Sequence, residues 1–408
     1  MRKTNRKYLI GLLSIFFVVA CSLFFLKSTS KKSKSPITNS LKRIALADKT
    51  GMLVREKNIS IRGVPHPYNP SIVNYGEDKY LMVFRYDVAK EKNVVSKEKN
   101  DASKMKLELK RKPKHPKFTP RMGIVELDKN FEQTEKEFVN IDTGSTHSED
   151  ARLFVLNGEY YLIFNDRTAR IKELDYRAMH LGLLNTDTFT LEYITNLDQQ
   201  NPFVPVEKNW VPIVHKPSNE EKEKLFLGYS ISPRKVLEVP DPTSNQLTHP
   251  IYSKVLPYAS LKWWKWGNPR GGTPAVEVGG EYLAFFHSFF KDQNHPIKYW
   301  YVMGAYTFEG KEPFHITRFS KTPIMFKTLY SAPIDSPFAD KTKRVAYPSG
   351  FVKGIENGRE VFYVSIGEDD SRSKIIVIDK EALYKSMNPV SLESPFQEEN
   401  AENKKVKQ

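Results

Sequence analysis

From residue 69 onward, short apolar runs alternate with Gly-containing turns, and no long 3.6-residue pattern interrupts them. Arg152-Leu153-Phe154-Val155-Leu156, Asn157-Gly158 and Tyr160-Tyr161-Leu162-Ile163-Phe164 form the clearest case. Asn-Gly between apolar runs is the strongest short-range hairpin signal. The pattern recurs from Asn69-Pro70-Ser71-Ile72-Val73 through Gly76 to Tyr80–Arg85, and from Lys208-Asn209-Trp210-Val211 to Leu225–Tyr229. It recurs again from Gly272-Thr273-Pro274-Ala275-Val276 through Gly279-Gly280 to Tyr282–His287, and from Tyr347-Pro348-Ser349-Gly350-Phe351 through Gly358 to Val361–Ser365. Each unit is a polar or small cluster, a strand, a turn and a second strand. Further strands are expected at Met122–Leu127, Ala178–Leu184, Trp300–Tyr306 and Ile375–Ile378, with one short helical turn at Glu381–Ser386.

Five such units predict an all-β five-bladed β-propeller. In a propeller the innermost strands converge on one axis. The polar clusters that open the units would then meet in one pocket, where charged side chains are costly to gather unless they serve a ligand.

The N-terminus departs from this pattern. A basic stretch (1–8) precedes an apolar run at 9–26, which predicts a transmembrane signal anchor, and then a polar linker at 27–50. The propeller would occupy 51–390, with a lysine-rich insertion at 89–117, followed by a charged tail at 391–408 that is expected to be disordered. The expected location is the membrane, single-pass, with the globular domain outside the cytoplasm. Val18-Val19-Ala20-Cys21 also has the look of a lipoprotein signal, giving anchorage at Cys21 as the alternative.

The 408 residues carry a formal charge of +15 and one cysteine. Much of the positive charge lies in the N-terminal segment, the insertion and the tail, which argues against a nucleic-acid groove. One cysteine excludes an intramolecular disulfide framework. No helical His pair or Asp-rich loop points to a metal, no Gly-x-Ser-x-Gly elbow is present, and no cofactor is expected.

The clusters resemble those of glycoside hydrolase family 130, five-bladed propellers acting on β-mannosides. Glu149-Asp150-Ala151-Arg152 resembles the family's Glu-Asp-Pro-Arg, with Ala in place of Pro. Glu207-Lys208-Asn209-Trp210, Phe286-His287-Ser288, Met303-Gly304-Ala305-Tyr306, Tyr347-Pro348-Ser349-Gly350 and Gly367-Glu368-Asp369-Asp370 are similar to further family elements in the same order. The resemblance implies inverting cleavage of β-mannosides or related glycosides, with Asp150 as catalytic acid and Glu207 as the second catalytic carboxylate. It implies substrate binding by Asn69, Arg85, Glu149, Arg152, Lys208, Asn209, Arg270, Thr273, His287, Tyr347 and Asp370. One tryptophan among Trp210, Trp263, Trp264 and Trp266 could also form a sugar-stacking wall. The implied partner is an oligosaccharide or glycoconjugate, and inorganic phosphate if cleavage is phosphorolytic. The family's phosphorylases carry basic residues where this chain has Asn201-Pro202-Phe203-Val204-Pro205-Val206, which favours water as the nucleophile. A β-mannosyltransferase of the same propeller type and a non-catalytic glycan-binding propeller are the alternatives.

Overall fold

The computed structural model describes residues 37–89, 118–171, 174–197, 205–242, 251–252, 258–259, 261–332 and 340–393. The apolar run at 9–26, Cys21, most of the insertion and nearly all of the tail lie outside the described residues. Among the described residues no helix is long and apolar enough to cross a membrane. The chain divides into two units, 1–43 and 44–408. The described part of the first holds a one-turn helix, Asn39–Lys42.

The second unit is all-β, with its sheets in a propeller-like arrangement. Sheet I comprises Tyr68–Asn74, Lys79–Ala89, Phe118–Asp128 and Val139–Asn140. Sheet II comprises Glu149–Leu156, Glu159–Ile171, Leu174–Asn185 and Thr190–Leu197. Sheet III comprises Val211–His215, Lys224–Ser230, Lys235–Val239 and Ile251–Tyr252. Sheet V comprises Ala346–Glu356, Arg359–Glu368, Arg372–Asp379 and, from the far end of the unit, Leu53–Ile59. That early strand pairs antiparallel with Arg372–Asp379, tying the two ends of the unit into one sheet.

Where five blades were expected, four four-stranded sheets are present among the described residues. The stretch containing the Gly272 unit instead forms a seven-stranded sheet, sheet IV. Its long strands are Glu281–Lys291 and Tyr299–Glu309. Two short strands, Arg270–Gly271 and Val276–Val278, take the place of one inner strand. Ile316–Ser320, Met387–Pro389 and Lys343–Arg344 complete the sheet. The extra strands come from chain that is distant in sequence, which a local repeat pattern does not register.

Contacts run from each sheet to the next. Leu153 N donates to Ser71 Oγ at 3.0 Å (sheets II and I), and Phe154 and Leu156 share a core with Trp210 and Leu225 (II and III). Ala275 N donates to Pro212 O at 2.8 Å, just ahead of Val276–Val278 (III and IV). Phe285 meets Phe351 edge-on (IV and V), and Ser365 Oγ donates to Pro70 O at 2.6 Å (V and I). Apart from serines such as Ser71 and Ser365, the residues packed between sheets are largely apolar and buried, as the alternation predicts. The polar linker reading stops short of residue 50: Ala47 is buried and its N–H donates to Met325 O at 2.6 Å, so the second unit begins at Ile44. The expected helical turn is Lys380–Lys385, capped by the Asp379 carboxylate on Ala382 N.

Candidate active site

The Asn157-Gly158 turn forms as expected, with both residues at positive φ (50° and 84°), which a type I′ turn requires. At the other end of the same hairpin, pairing between Glu149–Leu156 and Glu159–Ile171 shifts register between Glu149 and Arg152. Asp150 sits in that bulge at φ 56°. Asn69 occupies the corresponding bulge of sheet I at φ 49°, and Asn209 stands just before Val211–His215 at φ 65°. Asn and Asp tolerate the left-handed region better than other residues with a Cβ. A bulge at a strand entry re-aims a side chain. A left-handed residue thus opens all three sheets, inside a bulge in sheets I and II and ahead of the strand in sheet III.

These side chains converge. Asn69 Nδ2 donates to Asp150 Oδ1 at 2.9 Å. Arg85, from the second strand of sheet I, reaches Asp150 Oδ1 at 3.5 Å and Glu149 Oε1 at 3.1 Å. Lys208 Nζ lies 3.1 Å from Glu149 Oε2. Arg177 Nη2 donates to Glu149 Oε1 at 2.8 Å, and its Nη1 to Asn165 Oδ1 at 2.8 Å. Burial pushes the Asp150 carboxyl up, but Arg85, Lys208, the Asn69 hydrogen bond and Arg152 outweigh it and hold the carboxyl at about 2. Asp150 is therefore ionised at neutral pH.

Arg152 joins a second set. It is 0% exposed and donates to the Gly272 carbonyl, to Gly271 O at 3.2 Å, to Asp150 O at 3.3 Å, to Asn209 Oδ1 at 3.3 Å and to the Tyr347 hydroxyl at 2.9 Å. Tyr347 in turn donates to Asn209 Oδ1 at 2.9 Å. Arg152 thereby braces sheet II against elements of the next three sheets.

His287 is buried against the Tyr347 ring at 4.6 Å between centroids, and its Nδ1 has no hydrogen-bond partner among the described residues. Burial, then Arg152 and Arg270, depress its pKa to about 3, so any anion or hydroxyl it meets is met by neutral imidazole. Arg270 is the cross-strand partner of His287 and is exposed, its guanidinium 5.0 Å from the Phe289 ring centroid.

Other expected residues have side-chain contacts of their own. The Glu207 carboxylate accepts from Trp210 Nε1 at 3.3 Å and from the Tyr229 hydroxyl at 3.2 Å. Thr273 is buried, and its hydroxyl accepts from Phe285 N within sheet IV. Asp370 pairs with Lys343 at 2.6 Å. Its neighbour Asp369 is buried on Arg344 and Val345 N. Trp210, Trp263 and Trp264 direct their indole N–H groups to Glu207, Ser320 O and Ser288 Oγ. Arg177 was missed in the sequence because it stands inside the strand Leu174–Asn185 with no motif around it.

Close packing protects the arrangement. A methyl group at Gly367 would fall 2.2 Å from Asn69 Oδ1 and 2.7 Å from Asn69 N. Gly367→Ala is therefore expected to displace Asn69 from Asp150 and to destabilise the fold by about 1–3 kcal/mol through overpacking. Urea unfolding alongside an activity assay checks this, and an unchanged midpoint and rate would contradict it.

No protein-family model and no curated protein matches the sequence. Solved structures do match. A mannose phosphorylase from Leishmania mexicana, in complex with phosphate ion, aligns with a TM-score of 0.50 at 13% identity, covering 86% of this chain and 96% of that one. A GDP-Man-dependent mannosyltransferase from Leishmania mexicana aligns at 0.48 and 11% identity, covering 82% and 91%. A structure reported with the family 130 mannoside phosphorylases and glycoside hydrolases that target β-1,2-mannosidic linkages in Candida mannan aligns at 0.48 and 13% identity, covering 90% and 94%. The resemblance to family 130 is thus a resemblance of fold.

Proposed function

We propose that the chain is a glycan-active enzyme that cleaves β-mannosides or related glycosides with inversion at Asp150. The observation that carries this is the convergence of Asn69, Arg85, Glu149 and Lys208 from three sheets around one ionised carboxylate. Gathering half-buried charges has a desolvation cost that the fold does not require. A sugar, with hydroxyls that both donate and accept, suits such a site. The likeness to a mannose phosphorylase supports the fold this reading needs. Taking sheet IV as a fifth blade would place its Arg270 and His287 beside the same axis.

Inverting hydrolysis uses one carboxylate to activate water and one carboxylic acid to protonate the leaving oxygen. With its carboxyl held at about 2, Asp150 suits the base rather than the acid first expected. Glu207, tied to Trp210 and Tyr229, is not poised to supply the partner. Arg85, Arg270, Lys208 and neutral His287 would orient the substrate. If the run at 9–26 spans a membrane as proposed from sequence, this site works outside the cytoplasm.

Cleavage of a β-mannoside panel by the full chain, with and without inorganic phosphate, tests the reaction type. An equal rate in both is expected, and a rate that requires phosphate would overturn hydrolysis in favour of phosphorolysis. One second reading has its own support. An ionised Asp150 beside Arg85 and Lys208 also suits a transferase, in which the base removes an acceptor's proton and a phosphate-activated donor needs no acid. Product formation only from a sugar-nucleotide or sugar-phosphate donor would select it.

A further inference from the structure

With Asp150 ionised, cleavage lacks a proton donor, and one residue outside every motif is placed to provide it. We propose that Asp87 is the acid of the site, protonating the departing glycosidic oxygen while Asp150 takes the proton of the attacking water. This rests on the cleavage reading above.

The strand Lys79–Ala89 alternates, so Arg85 and Asp87 share a face while Tyr86 turns away to Asn140. Arg85 lies opposite Tyr68, the first residue of the inner strand. Asp87 therefore stands beyond that strand's first residue and is half-buried. The Tyr68 hydroxyl donates to Asp87 Oδ2 at 3.0 Å, so the transferable proton is assigned to Oδ1. The Arg85 guanidinium lies 5.1 Å from the centre of the Tyr68 ring and also contacts Glu149 and Asp150, so Tyr68 and Arg85 together lead from Asp87 to Asp150.

The charged and titratable groups whose fields act on Asp87 are Arg85 on its own strand, Tyr68 on the inner strand, Asp370 from beyond the end of Arg359–Glu368 in sheet V and Glu149 from sheet II. Burial, with Asp370 and Glu149 adding to it, pushes its carboxyl up against the opposing pull of Arg85 and the Tyr68 hydrogen bond. Burial also pushes the Tyr68 hydroxyl well up, so Tyr68 remains a donor. Asp87 and Asp150 are thus driven apart, the pattern by which two carboxyls divide acid and base roles.

The step balances. The bond between the anomeric carbon and the glycosidic oxygen breaks, its electron pair stays on that oxygen, and the oxygen takes the Asp87 proton. Water forms the new bond to the anomeric carbon and gives a proton to Asp150. Exchange with solvent restores both carboxyls.

The test compares Asp87→Asn with wild type in the full chain on two substrates, β-linked mannobiose and 2,4-dinitrophenyl β-mannoside. Asn keeps the volume and can still accept from Tyr68. The expected result is a fall in kcat of about 10²–10⁴-fold on mannobiose, loss of the alkaline limb of its pH profile, and less than about a tenfold change on the dinitrophenyl substrate, whose leaving group needs no proton. An unchanged rate on mannobiose, or an equal loss on both substrates, overturns the proposal and leaves the cleavage reading standing. If wild type cleaves neither substrate, both fall.

Discussion

Asp150→Asn is expected to reduce cleavage of every β-mannoside, activated or not, by about 10²–10⁴-fold, while sugar binding remains measurable. Asn keeps the shape and can still accept from Asn69, but it cannot receive a proton. The left-handed φ of 56° is tolerated by Asn as by Asp, so the bulge should survive. The pH dependence follows from the sign of the shift. The Asp150 carboxyl is depressed to about 2, so the base form persists throughout the neutral range and produces no activity limb there. A depressed carboxylate contributes stability that is present above its unfolded value of about 3.9 and is lost as pH falls towards 2. Asp150→Asn should remove that part of the acid sensitivity, readable as a smaller fall in Tm between pH 4 and pH 2 (about the interval between the two values). Full activity in this variant would show that Asp150 takes no proton.

Arg152→Met is expected to destabilise the protein by about 3–5 kcal/mol. The guanidinium is fully buried, and its partners are carbonyls of Gly271, Gly272 and Asp150 with the polar tips of Asn209 and Tyr347. Met fills most of the volume but takes this donor from the three carbonyls and leaves Asn209 Oδ1 with the Tyr347 hydroxyl. Arg152→Lys should recover only part of the loss, because one ammonium cannot reproduce a planar fork reaching several acceptors. Urea unfolding reads both variants, and a loss below about 1 kcal/mol in Arg152→Met would contradict the bracing role.

Much of this fold was legible because the apolar alternation is strong. The Asn157-Gly158 hairpin, the strands around Met122, Ala178, Trp300 and Ile375, and the short helix before Ser386 stand where the pattern puts them. The Glu149-Asp150 cluster was legible as a strand entry. Its bulge was not, since register follows from pairing with Glu159–Ile171 rather than from local sequence. Glu207 stood out as a carboxylate in a polar cluster, but its direction depends on Tyr229, a neighbour that only the sheet supplies. Arg177 and Asp87 went unnoticed for the opposite reason. Each is an isolated charge inside a strand, ordinarily a solvent-facing position, and only the pairing of its own sheet brings Arg177 to Glu149 and Asp87 to Tyr68. The closing strand Leu53–Ile59 and the seven-stranded sheet both depend on chain ends returning, beyond the reach of any local period.

The most direct test of the account is proton NMR of the full chain with β-linked mannobiose, in water without phosphate, for wild type and Asp150→Asn. The account predicts that wild type releases α-mannose first and that Asp150→Asn releases essentially none. Release of β-mannose first, no release by wild type, or equal release by both proteins would contradict it.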